Sequence, residues 1–416
     1  MLLYIDPGTG SMLITILLGI IGTGVYLFKT LWVKLKFLLT RGKQEKTASG
    51  KLPVVFFTDD KRYWNVFKPV IEELSRRGIK THYYTASEAD PALEQEYDNI
   101  TFKYIGSGNK AYSFMNLVNA YIVVSTTPSL DVFQWKRSRE ADFYIHMLHA
   151  ASDVSMYRMF GIDYYDAIMI SGEYQGQQVR ELERLRHLPE KELPMVGIPY
   201  MDEMLKRVIA ADENASESGG EKKNTRTVLL APSWGASGIL TKYGESFLQS
   251  LKNTGYNIVV RPHPQSFTSE KEMIEGLMAK FPDDGDKFRW DRSNDNFDVL
   301  KNSDIMISDF SGVIFDYALI FDKPFIYTAT SYDKSPYDCD WLDEEPWTYR
   351  ILPEIGVELT EDQFGDMKTV IDKCITSDTL AAGRDKAREE TWQYMGEGTT
   401  RVVDYIEKKL KELTEG

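Results

Sequence analysis

The stretch SDFSGVIFDYALIFDKPFIYT, residues 308–328, decides the fold class. Ile305-Met306-Ile307 just before it reads as a short buried strand. Within it, Ile314, Tyr317, Ala318 and Phe321 fall at i, i+3, i+4 and i+7, which predicts an amphipathic helix. Asp322-Lys323-Pro324 breaks that helix and Phe325-Ile326-Tyr327 starts another strand. The unit is therefore βαβ, with Ser308 to Gly312 at the turn from strand to helix. Such a turn offers free backbone N–H groups and suits a phosphate, although on local grounds alone a plain Ser N-cap is the stronger reading.

The same alternation extends outward in both directions. Strands are expected at 54–58, 80–84, 101–105, 121–126, 142–146 and 167–171, then at 227–231, 257–261, 305–307 and 325–327. Helices are expected at 64–77, 177–185, 247–253 and 270–281. Residues 211–226, ADENASESGGEKKNTR, are polar and aperiodic and read as a linker or surface loop. Two βα runs on either side of it predict two doubly wound parallel-sheet domains, over 52–210 and 227–416. A length of 416 residues suits two domains.

Residues 1–51 differ. From Pro7 to Phe28 no residue is charged, and these 22 residues match the roughly 20 needed to cross a bilayer as a helix. The start carries no base and a cleavage pattern is lacking, so the reading is an anchor rather than a signal peptide. Residues 29–51 carry a net +6 and residues 1–28 a net −1, which leaves −19 for the body out of the −14 of the whole chain. A basic collar after a span predicts a single pass through the cell membrane with a cytoplasmic body, and contact with anionic lipid. A body at −19 argues against nucleic acid as a partner. Cys339 and Cys374 are too few for a disulfide framework.

Open parallel sheets bind ligands at the carboxyl ends of their strands. The polar strand ends are Ala231-Pro232-Ser233-Trp234-Gly235, Arg261-Pro262-His263-Pro264 and Ser308 to Gly312 in the second run. In the first run they are His146-Met147-Leu148-His149 and Gly197-Ile198-Pro199. His146, His149 and Asp153 have a spacing that could hold a metal if the segment were helical, which is a weak reading, and His146 also reads simply as the end of a strand. Asp59-Asp60 reads as solvated loop charge. The acidic, aromatic stretch 332–349 has no assignment.

These motifs together resemble the CDP-glycerol glycerophosphotransferase family of teichoic-acid synthesis. The resemblance spans about Asp142 to Tyr332: the His motif, Tyr165-Asp166, Gly-x-Pro, Ala-Pro-Ser-Trp, Arg-Pro-His-Pro and Ser-Asp-Phe-Ser followed by Val-Ile-Phe-Asp-Tyr-Ala. It implies a GT-B-like architecture, two Rossmann-like domains facing a cleft, and a CDP-glycerol or related CDP-polyol donor. It further implies a lipid-linked acceptor, no cofactor and no metal. By resemblance His149 is the base and His263 a second catalytic group. Arg261, Ser308, Asp309, Ser311, Gly312 and Asp316 are the donor contacts. The chain departs from the family in three places. Ala150 to Val154 stand where Gly-Thr-Pro-Leu-Lys is usual, Gly312 where a second Ser is usual, and Tyr200 where an Arg is usual.

Overall fold

The computed structural model describes residues 50–218, 225–285, 287–293, 295–328, 333–376 and 379–415. Twelve strands form two six-stranded sheets, and every pairing within them is parallel. In the first sheet β1 (Leu52–Thr58), β2 (Thr81–Thr85), β3 (Ile100–Tyr104), β4 (Ala120–Ser125), β5 (Ala141–Met147) and β6 (Ala167–Met169) take the order β3-β2-β1-β4-β5-β6. In the second, β7 (Thr227–Leu230), β8 (Asn257–Val260), β9 (Phe288–Trp290), β10 (Ile305–Ser308), β11 (Phe325–Thr328) and β12 (Val357–Leu359) take the order β12-β11-β10-β7-β8-β9. Renumbered from its own first strand, the second sheet repeats the order of the first. Both have the doubly wound order whose direction reverses between the first and fourth strands.

Burial on both faces explains the sequence runs. Val54, Val55, Phe56 and Phe57 of β1 are all buried, because helices cover a parallel sheet above and below. The helix Trp64–Arg76 buries Phe67, Val70, Ile71 and Leu74 on one face of the first sheet. The expected helix after β10 forms as Val313–Phe315 and then widens into a π turn over Asp316–Ile320. Asp322 takes a left-handed φ of 51° where Asp-Lys-Pro ends it.

Three expectations are corrected. The helix Pro199–Ser218 runs through the first half of the expected 211–226 linker, because Ala211 still packs on the core beside Val208. The last helix, Gly398–Glu415, buries Val402, Val403 and Ile406 against the first sheet rather than the second. It is tied there by Arg77 Nη1 to Asp404 (2.6 Å) and Lys409 Nζ to Glu192 (2.6 Å). Among the described residues, no helix is long and apolar enough to cross a membrane. The described architecture is thus two α/β sheets without a spanning helix, and a single-pass membrane protein is not supported. The stretch 7–28 that motivated that reading lies outside the described residues.

Candidate active site

Sheets of this order bind ligands where the strand order reverses, outside the carboxyl ends of the two strands there. In the second sheet these are β7 and β10. Ser308 is fully buried and donates through Oγ to Ala231 O at 2.6 Å. Asp309 is 1% exposed and its carboxylate accepts from the backbone N–H groups of Ser233 (2.9 Å), Ile239 (3.1 Å) and Phe310 (2.8 Å). Both side chains are turned into the fold and shape the loops. What faces outward is Ser311 and Gly312, at the first turn of the helix, where backbone N–H groups have no partner within the helix.

Asp316 lies one turn further on, buried, with Oδ1 lacking a hydrogen-bond partner. Burial pushes its carboxyl up to about 7, against the opposing pull of Tyr200 and Asn296. Arg261 is committed to the ion pair with Asp291 and to Ser293 (3.1 Å to Oγ, 2.8 Å to O). The sequence motif therefore brings Arg261 to the right strand end but spends its guanidinium on the loop after β9.

His263, two residues on, is arranged differently. Its Nδ1 accepts from the Gln265 N–H at 3.1 Å, so the neutral ring carries its proton on Nε2 as a donor. Burial, and then the charge of Arg62, hold its pKa near 4. The exposed Trp234 ring lies 6.4 Å from it.

In the first sheet the ends of β1, β4 and β5 stand abreast, with Phe57, Ser125 and His146 in register. His146 is fully buried, 2.9 Å from Tyr157 Oη and edge-on to the rings of Tyr157 and Tyr165. It is a core residue, held neutral by burial with its pKa near 3. His149, past the strand end, is half-buried, and the Tyr63 ring meets it edge-on at 5.2 Å. Burial and the Arg62 charge bring its pKa to about 4, so it is a neutral imidazole at physiological pH. The Arg62 guanidinium lies 5.6 Å over the Tyr63 ring and pairs with Asp60 at 3.1 Å. The Arg62 charge thus reaches both His149, past the end of β5, and His263, past the end of β8.

The unassigned stretch after β11 joins the two halves of the body. Asp338, fully buried, accepts from the N–H groups of Phe160 (2.7 Å) and Gly161 (3.1 Å) and from Arg186 (2.6 Å). The Arg186 guanidinium sits between the rings of Phe160 and Trp341, 4.9 Å from each. Asp153, a candidate metal ligand by spacing, instead accepts from the N–H groups of Trp347 and Thr348, each at 2.8 Å. Among the described residues no cluster of three His, Cys, Asp or Glu side chains could hold a metal ion. A cavity of about 150 Å³ results, bounded by Ser152 and Met156 on one side and by Ser311, Gly312, Phe310 and Tyr349 on the other. An open depression of about 590 Å³ on the last helix is lined by that helix alone and has no buried polar group.

Of the residues expected from sequence, Ser311 and Gly312 line this cavity. His149 and His263 stand past the ends of β5 and β8, Ser308 and Asp309 hold the loops after β7 and β10, Arg261 pairs with Asp291, and Asp316 is buried one turn beyond Gly312. Arg62 and Tyr63 were missed: Lys-Arg-Tyr at the start of a helix has no signature, and only the fold reveals what it faces.

A family model for CDP-glycerol:poly(glycerophosphate) glycerophosphotransferase matches residues 45–408. A comparison with curated proteins returned no match. Among solved structures the chain resembles the wall teichoic acid polymerase TagF, with TM-score 0.57 and 17% identity over 94% of this chain and 99% of that one. A histidine variant of that polymerase soaked with CDPG aligns equally well. UDP-GlcNAc 2-epimerase from Neisseria meningitidis aligns with TM-score 0.51 and 12% identity over 85% of this chain and 99% of that one. At these identities the structures establish the shared two-sheet, GT-B-like fold. With the family model matched along nearly the whole body, from ahead of β1 into the last helix, the chain belongs to the CDP-glycerol:poly(glycerophosphate) glycerophosphotransferase family and is a transferase.

Proposed function

We propose that the protein moves glycerol phosphate from CDP-glycerol to an acceptor hydroxyl carried by a lipid-linked saccharide, with the acceptor on the first sheet and the donor on the second. The observation that carries this reading is that His149 and His263 stand past the carboxyl ends of β5 and β8, one in each sheet, His263 with Nδ1 occupied by the Gln265 N–H and both near enough to Arg62 to feel its charge. The donor is supported by the family's reaction and by the TagF variant soaked with CDPG.

In this reading the acceptor oxygen attacks the β-phosphorus, a new O–P bond forms, and the bond from that phosphorus to the bridging oxygen breaks. CMP leaves with the bonding electrons. His149 takes the hydroxyl proton; its low pKa keeps it unprotonated and ready, at some cost in basicity. His263 Nε2–H and the N–H groups at Ser311 and Gly312 meet the phosphate oxygens. Phosphoryl transfer depends mainly on such positioning and charge stabilisation.

The test is CMP release by purified protein given CDP-glycerol and a lipid-linked saccharide. Release that requires the acceptor supports the reading. Turnover with CDP-ribitol alone would reassign the polyol, and neither binding nor turnover of any CDP-polyol would sink it.

A further inference from the structure

The reversal point of the second sheet, β7 and β10, holds the proposed donor contacts. The equivalent point of the first sheet, β1 and β4, is also built of polar groups. Asp59 follows β1 and is exposed, while Thr126 and Thr127 follow β4 and are buried. Thr127 Oγ1 donates to Asp59 Oδ1 at 3.1 Å, which fixes the carboxylate over the crevice. Thr126 is 1% exposed and its hydroxyl has no hydrogen-bond partner. A buried hydroxyl without a partner is costly and points to a missing ligand or water.

Asp60, next in sequence, is not equivalent, because its two oxygens are taken by Arg62 N and Arg62 Nη2. The register puts Asp59, after β1, two strands from the His149 loop after β5, and Thr126 and Thr127, after β4, one strand from it. At about 4.8 Å per strand, roughly 10 Å separates the backbone of Asp59 from that of the His149 loop. That span fits a three-carbon polyol between the two side chains.

We infer that the crevice between the ends of β1 and β4 is the hydroxyl-binding subsite for the acceptor. There the Asp59 carboxylate and the threonine hydroxyls hold the hydroxyl next to the one that reacts at His149. The ligand class is a polyol end with adjacent hydroxyl groups. The inference rests on the transfer reading for its role, but binding itself can be measured without any donor.

The probes are glycerol 3-phosphate, which has two free hydroxyls, and ethyl phosphate, which has none, titrated by NMR into the full chain with and without CDP. Wild-type protein should bind glycerol 3-phosphate about tenfold more tightly than ethyl phosphate. Asp59→Ala should erase that preference and leave the affinities for ethyl phosphate and CDP-glycerol unchanged. Thr127→Val should erase part of it. A preference that persists in Asp59→Ala, or that wild-type protein lacks, overturns the subsite. Failure of CDP-glycerol to bind at all would overturn the transfer reading instead, and the two results are separable.

Discussion

The two sheets share one strand order yet use their reversal points in opposite ways. In the second, the polar side chains of the motif turn inward: Ser308 to Ala231 and Asp309 to three backbone N–H groups. What remains for a ligand is main chain, Ser311 and the Nε2 of His263. In the first, the outward groups are side chains: Asp59, Arg62, Tyr63 and His149. A diphosphate is the same in every donor of its class and can be met by rigid backbone donors, whereas an acceptor hydroxyl needs a base and directional acceptors. The contrast teaches that a sequence motif can mark a site by building its frame rather than by touching the ligand.

The sharpest way to break this comparison is His149→Ala. Turnover should fall by roughly 10²–10⁴-fold, with CDP-glycerol affinity nearly unchanged. In the wild type, kcat/KM should stay flat as pH falls to about 5. It should drop only as pH approaches 4, where the imidazole takes up a proton. A wild-type rate in the variant would remove His149 as base.

Next in size is Asp309→Ala, which leaves two buried N–H groups and one partly buried one without their acceptor and should cost about 3 kcal/mol in denaturant unfolding. Loss of donor affinity at undiminished stability would mean that Asp309 touches ligand after all.

Asp316 should give a smaller, pH-dependent effect. Its folded pKa of about 7 lies above the unfolded value near 3.9, so the folded state holds the extra proton. Its contribution to stability is therefore full below about pH 4 and is lost as pH rises through 7. Asp316→Asn should be more stable than wild type at pH 8 by about 1–3 kcal/mol and no different at pH 4. Equal melting temperatures at pH 8 would place the carboxylate in contact with a compensating charge.

Arg261→Ala should do least to the donor, weakening CDP-glycerol only a few-fold through the loosened Asp291–Ser293 loop. A loss of a hundredfold would show that the guanidinium leaves Asp291 to grip phosphate.

Much of this was legible in the chain. Buried strands such as 305–307 and 325–327 stand out because both faces are covered, and His263 between two prolines can hardly be anything but a fixed strand end. Strands Phe288–Trp290 and Val357–Leu359 escaped notice because each carries an exposed charge at its centre, Arg289 and Glu358, and so lacks the apolar run that marks the strands buried on both faces. The destination of side chains was not legible either. Ser308 and Ser311 are the same residue type three apart, and only the turn between them decides which one faces solvent. Asp153 read as a possible ligand because spacing cannot show that Trp347, far along the chain, brings its N–H there. Residues 333–349 lacked a reading for the same reason, since their partners belong to the other half.

The return of the last helix to the first sheet has a consequence for biosynthesis. Ile71 and Val124 are made early, but Val402, Val403 and Ile406, which pack in one core with them, are made only after every strand of the second sheet. At about 5–20 residues per second, the first sheet waits roughly 12–47 s between the emergence of its last strand and the arrival of Val402. Through that interval an apolar face stands open on the nascent chain, while the second sheet, whose strands all precede that helix, can already close. The sheet made first is therefore the one that finishes folding last, and a truncation near residue 400 should damage the first sheet while sparing the second.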